Sequence, residues 1–105
     1  MTDDLAFLDA SAQAALVRDG AATPRELVDA ALERIDAVNP QLNAVIHRRD
    51  EHARVEADAG PPAGPFRGVP ILVKDFDGRL AGEPLHLGNR LLRDLGYRAD
   101  HDSYL

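Results

Sequence analysis

The chain contains no cysteine and no tryptophan, and only three phenylalanines and two tyrosines among its 105 residues. Without cysteine it has no disulfide, no thiolate metal site and no cysteine nucleophile, and the redox compartment stays open. Few aromatics mean that much of the 45% hydrophobic content is alanine, which buries little area per residue. A chain of this length buries roughly 60–65% of the surface exposed by its unfolded form, so a single small domain with a thin core is expected. Basic residues are also scarce. With 12 Lys and Arg against 18 Asp and Glu, the net charge is −6, which argues against a nucleic-acid footprint; Arg48 and Arg49 form the one adjacent basic pair. No apolar run approaches the ~18 residues of a membrane span, and the start Met1-Thr-Asp-Asp has no basic and apolar leader pattern. A soluble cytoplasmic protein without membrane or nucleic-acid partners is expected.

Local signals place the elements. Asp9 is a helix cap for a segment running to Asp19, with Gly20 as its left-handed stop. Thr23-Pro24-Arg25-Glu26 sets a capping hydroxyl, an N1 proline and an N3 glutamate in capping-box order. Leu27, Val28, Ala31, Ile35 and Val38 follow at helical spacing, and Asn39-Pro40 is expected to end that helix because the residue before proline is disfavoured in the α region. Leu42 to His47 reads as an inner strand with apolar residues on both faces. Asp50 to Ala59 reads as a third helix stopped by Gly60, and Pro61 to Pro65 as a stiff connector. Val69, Ile71, Leu72 and Val73 form a second, buried strand entered through Pro65, Gly68 and Pro70. Strand, helix and strand in that order suggest a βαβ crossover, hence an α/β class. Beyond it, Asp75 to Arg79 reads as a turn, Ala81 to Pro84 as a loop, and Asn89 as the cap of a short helix from Arg90 to Leu95 closed by Gly96. The end, His101 to Leu105, reads as the opening of a further helix capped by Asp102 or Ser103, a sign of truncation.

The second strand ends on Lys74. An ammonium there must meet a carboxylate or water, or lose its proton, because desolvation disfavours the charged form. A neutral lysine is a general base. Taken alone, Lys74 reads as a strand-end lysine that snorkels to solvent or pairs with Asp75. Its flanks decide otherwise. The run Gly64-Pro-Phe-Arg-Gly-Val-Pro-Ile-Leu-Val-Lys-Asp75, continued by Gly82, Pro84 and Gly88, resembles the N-terminal part of the amidase signature enzymes. Gly68, Pro70, Lys74 and Asp75 match that family's G-x-P-x-x-x-K-D strand, and Asn89 stands where many members have serine.

The resemblance implies a Ser–cis-Ser–Lys hydrolase of carbon–nitrogen amide bonds, with Lys74 the one catalytic residue present. It implies no cofactor and no metal, and a small-molecule amide substrate in the full-length form. The family's glycine- and serine-rich signature, which holds both serines, lies beyond residue 105. Residues 1–105 are therefore expected to be the truncated N-terminal part of an amidase domain, inactive alone and possessing as partner the missing C-terminal part of the fold. Two alternatives are a piece of the corresponding subunit of a glutamine-dependent tRNA amidotransferase and a non-catalytic remnant or interaction module. For Asp75, a structural carboxylate accepting backbone N–H groups is preferred to an ion-pair partner, since a strong pair would oppose use of Lys74 as a base.

Other constellations fail on spacing. Asp75 and Asp77 imitate a calcium loop, but its fifth and twelfth positions are Arg79 and His86. His47 and His52 are not an i, i+4 pair. Adjacent His101, Asp102 and Ser103 cannot build a relay that is assembled from distant positions. A kinase-type strand lysine would need a glycine-rich phosphate loop before it, and none precedes Lys74.

Overall fold

A computed structural model describes residues 2–104. The chain divides into two compact units, Met1–Pro70 and Ile71–Leu105.

The first unit is helical. Helices α1 (Thr2–Ala6), α2 (Ala10–Arg18), α3 (Pro24–Leu42) and α4 (Asp50–Asp58) follow one another in the chain. Their starts obey the local chemistry. Asp9 accepts the Ala12 N–H at 2.8 Å, which satisfies one of the donors that a helix start leaves orphaned. Thr23 Oγ1 accepts from the Glu26 N–H at 3.1 Å, while Glu26 Oε2 accepts from the Thr23 N–H at 2.8 Å, closing the capping box. Gly20 and Gly60, both at positive φ, stand just beyond the ends of α2 and α4.

Leu5, Ala22 and Leu27 form the core of this unit, with Leu16, Val17 and Ala30 packed against them. Of the eight buried apolar residues among those described, four are alanine, so the core is as thin as the composition implies. Ion pairs tie α3 to α4: Arg25 bridges Asp29 and Asp58, and Arg54 bridges Asp29 and Glu51. Their side chains are partly solvated, and exposed pairs of this kind contribute only about 0–1 kcal/mol each. They orient α4 more than they hold it.

The exit from α3 departs from expectation. The helix passes through Pro40 and ends at Leu42, with Asn43 in the left-handed conformation at φ 50°. Asn39 explains this. Its Oδ1 accepts from the N–H groups of Ala44 and Val45, and its Nδ2 donates to the Val45 carbonyl, all at 2.9 Å. These bonds close the chain back onto the last helical turn, where a proline forfeits only one backbone bond. The expected strand Leu42 to His47 is thereby replaced by a helix end and its side-chain cap, and Leu42 and Ile46 are exposed.

In the second unit, Leu80 to Leu85 runs antiparallel to Tyr97 to Ala99. Gly82 N–H donates to the Ala99 carbonyl (2.8 Å), Ala99 N–H to the Glu83 carbonyl (3.0 Å) and Leu85 N–H to the Tyr97 carbonyl (3.2 Å), around a single bridge between Pro84 and Arg98. Leu85, 2% exposed, and Ala99 are its buried apolar residues. Helix α5 (Arg90–Asp94) starts on Asn89, whose Oδ1 accepts from the Leu91 N–H at 2.7 Å, and Gly96 at φ 66° follows it.

The expected helix opening at residues 101–104 is not formed. Asp102 Oδ1 accepts from the Ala81 N–H, and Ser103 Oγ accepts from the Arg79 N–H and donates to the Asp77 carbonyl. Both side chains brace residues 77–81 instead of capping a helix. Among the described residues the chain is mostly helical and forms no strand beyond that one bridge, so the expected βαβ crossover is absent. A ladder needs a partner at about 4.8 Å. Residues 42–47 are closed by Asn39, and residues 69–74 meet no neighbouring strand. No helix among the described residues is long and apolar enough to cross a membrane.

Candidate active site

Lys74 lies at the end of the irregular stretch from Val69 and immediately before the turn Asp75–Asp77. The Phe76 N–H donates to the Lys74 carbonyl at 2.8 Å, which folds the chain sharply after the lysine. Gly78 makes that fold possible: a β-carbon there would stand 1.9 Å from Val73 Cγ1 and 3.1 Å from the Lys74 carbonyl oxygen. Gly68, the first glycine of the motif, is at φ +84°, and a β-carbon there would meet Pro24 Cγ at 2.9 Å. The motif glycine thus lets the connector pass against the first turn of α3.

Asp75 is held by three amides. Its Oδ1 accepts from the N–H groups of His86 (2.8 Å) and Leu87 (3.2 Å), and its Oδ2 from that of Gly88 (3.2 Å). Leu87 at φ 53° and Gly88 at φ 66° turn these amides toward one point, a concavity of the kind that binds anions. The structural role expected for Asp75 is the observed one. Burial pushes its carboxyl up, but the bonds from His86, Gly88 and Leu87 outweigh this and hold it below the ordinary carboxylate range. A depressed folded value means that this carboxylate stabilises the fold at pH above its unfolded value, near 3.8, and that the contribution is lost as pH falls through the folded value.

Acidification is therefore expected to release residues 86–88. In Asp75→Asn the side-chain amide would set a donor against at least one of the three N–H groups, so the same release is expected at neutral pH. Amide proton shifts of Leu87 and Gly88 that stay fixed from pH 6 to 2 and are unaltered in Asp75→Asn would contradict this.

Lys74 itself departs from the expected environment. Its side chain is exposed, and so are Ile71, Leu72 and Phe76 around it, at 75%, 72% and 58%. The buried strand expected here would need to be covered on both faces, and residues 71–104 provide no such cover. Asp75 directs its carboxylate to backbone amides and leaves the neighbouring ammonium without that partner. Neither of two surface clefts in the first unit, one along Arg25, Asp29 and Arg54 and one along Ala14, Val17 and Arg67, includes the lysine. Among the described residues no group of three or more His, Asp or Glu side chains is placed to hold a metal ion. The structure thus places Lys74 and Asp75 on one tight turn, and among the described residues no hydroxyl side chain hydrogen-bonds to either of them. Gly78 and Ser103, which shape the chain path after Lys74, carry no local sequence signal for those roles.

No protein-family model matches the chain. Individual proteins do. Over 96 residues, 91% of this chain, it is 44% identical to the 6-aminohexanoate-cyclic-dimer hydrolase of Pseudomonas sp. (strain NK87), of which that stretch is 19%. Its homologues are members of the amidase signature family. The match extends to three dimensions: a solved structure of 6-aminohexanoate cyclic dimer hydrolase complexed with substrate superposes with a TM-score of 0.84 at 43% identity, over 94% of this chain and 20% of that one. A third relative, a glutamyl-tRNA(Gln) amidotransferase subunit of Salinispora arenicola (strain CNS-205), is 37% identical over 107 residues, 95% of this chain and 21% of the relative. The chain spans about a fifth of the length of these amidase signature relatives. Its fold is accordingly that of a portion of the amidase signature fold, mostly helical in itself.

Proposed function

We propose that residues 1–105 are the lysine-bearing N-terminal part of an amide hydrolase, with Lys74 as the general base of a Ser–cis-Ser–Lys triad. The observation that carries this is the unbroken motif Gly68, Pro70, Lys74 and Asp75 in a chain 44% identical to an enzyme that hydrolyses a cyclic amide dimer. In this reading Lys74 draws a proton through a bridging serine from a nucleophilic serine, which attacks the amide carbonyl. The carbon–nitrogen bond then breaks, the amine leaves, and water hydrolyses the acyl-enzyme. Both serines come from polypeptide corresponding to the remaining four-fifths of the relatives, which would also supply the walls of the pocket. Asp75 and the amides of residues 86–88 fix the backbone on which the lysine is mounted. The substrate class is a small amide.

The likeness to a tRNA amidotransferase subunit supports a second reading, in which the same amide chemistry releases ammonia from glutamine. The exposure of Lys74 and the alanine-rich core support a third, a non-catalytic remnant.

Purified 1–105 incubated with a panel of aryl amides is expected to show no turnover above buffer. Turnover by the isolated chain that disappears in Lys74→Ala would overturn the proposal that it needs serines from elsewhere.

A further inference from the structure

The sequence holds two aspartyl-glycine pairs, Asp19-Gly20 and Asp77-Gly78. In such a pair the glycine nitrogen can close on the aspartate side-chain carboxyl to form a five-membered ring, because glycine has no β-carbon to obstruct the approach. The two pairs differ in what holds them. At the end of α2 the Gly20 N–H donates to the Val17 carbonyl at 3.2 Å, a bond that ring closure would break. Asp77, by contrast, is exposed on the turn after Lys74, and among the described residues its carboxylate has no hydrogen-bond or ion-pair partner. The Gly78 N–H donates to no acceptor there. Neither group gives up a bond to meet the other. Ser103 adds a chemical push: its Oγ donates to the Asp77 carbonyl at 2.6 Å, and that oxygen is where negative charge gathers when the Gly78 nitrogen loses its proton.

We infer that Asp77-Gly78 is a site of spontaneous backbone modification, at which the turn converts Asp77 to isoaspartate with the Ser103 hydroxyl assisting. The Gly78 nitrogen bonds to Asp77 Cγ, the Cγ–OH bond of the protonated carboxyl breaks, and the hydroxyl leaves as water with the amide proton. A second water opens the succinimide. Attack at Cγ returns aspartate, whereas attack at the former main-chain carbonyl carbon leaves isoaspartate, of unchanged mass, with the backbone running through its β-carbon. No oxidant, reductant or cofactor enters. Asp75 does not compete, because its carboxylate is held by the amides of His86, Leu87 and Gly88 and the residue after it is Phe76. The consequence falls on the chain just after Lys74. An added methylene there displaces Gly78, which packs too closely on Val73 for even a β-carbon, and the carbonyl that Ser103 holds becomes a carboxylate. The inference concerns the turn itself and stands whether or not Lys74 is a base.

The test is to age purified 1–105 in warm, mildly acidic buffer and cut it after glutamate, which leaves the two pairs in separate peptides, 1–26 and 57–83. A methyltransferase specific for isoaspartyl carboxyls then counts the isoaspartate in each. Label in 57–83 is expected to grow about tenfold faster than in 1–26, the size of one hydrogen bond kept or lost at the reacting amide. In denaturing urea the two rates should converge, with that of 57–83 falling. Asp77→Ser is expected to remove the label from 57–83, and label that persists there belongs to another aspartate and overturns the inference. Ser103→Ala should slow 57–83 by up to about tenfold and leave 1–26 unchanged, while Ser103→Thr, which keeps the hydroxyl, should keep the rate. Equal rates in the folded chain, or a faster rate for 57–83 in urea than in buffer, would overturn the inference. An undiminished rate in Ser103→Ala would do the same. Where Ser103→Ala alters the thermal melt of the chain, the comparison of buffer with urea on the unaltered sequence decides.

Discussion

Lys74→Ala, introduced where residues 1–105 are joined to the remaining four-fifths of the cyclic-dimer hydrolase, is expected to lower kcat/KM for the amide by about 10²-fold or more. The size follows from the role. A positioned general base contributes roughly 10²–10⁴-fold, because without it the nucleophile's proton must leave to water while the carbonyl is attacked. Stability gives an independent check on cause. Within this chain Lys74 is exposed, and the turn after it is held by the Lys74 carbonyl, by Gly78 and by Asp75, none of which the substitution removes. Surface substitutions away from special features usually stay within about 0.5 kcal/mol, so the thermal midpoint should hardly move. Loss of activity with an unchanged melt identifies the amine as the missing part. Near-normal kcat/KM in the variant would mean that another group is the base.

A second large effect lies in the first unit. Leu27 is 2% exposed and packs with Leu5 and Ala22 in a core whose other contributors are only partly buried. Leu→Ala at such a site costs about 2–5 kcal/mol, from lost transfer energy and from the cavity left behind. Small domains hold roughly 0.05–0.15 kcal/mol per residue, so this one substitution removes a large part of the total, and Leu27→Ala is expected to lose its cooperative urea transition. Leu95→Ala, at a position 72% exposed, serves as the control and should leave the midpoint in place. Equal midpoints in the two variants would show that Leu5, Ala22 and Leu27 are not the cluster on which the unit depends.

The helix ends were legible because the signals are local. Asp9, Thr23, Glu26 and Asn89 act on amides two or three residues away, and Gly20, Gly60 and Gly96 adopt conformations that other residues resist. No distant neighbour is needed for any of these contacts. Asn39 shows the limit of local rules. The residue before a proline is biased out of the helix, yet its side-chain bonds to residues 44 and 45 carry α3 on to Leu42. Strands are a different matter, since a strand exists only by pairing. Residues 42–47 and 69–74 have the composition of strands, but one is capped by a side chain and the other has no partner.

The amino-acid order by itself determined the kinship with amidase signature enzymes, through Gly68, Pro70, Lys74 and Asp75, and the positions where α2 to α5 begin, though not α1. Both rest on residue identity at short spacing. Only the tertiary structure decided that Asp75 is bound by the amides of His86, Leu87 and Gly88, that Ser103 braces the loop at Asp77 to Arg79, and that Lys74 meets water. Each of these is a meeting of groups far apart in the chain, or the absence of one, and which groups meet is set by where the backbone turns.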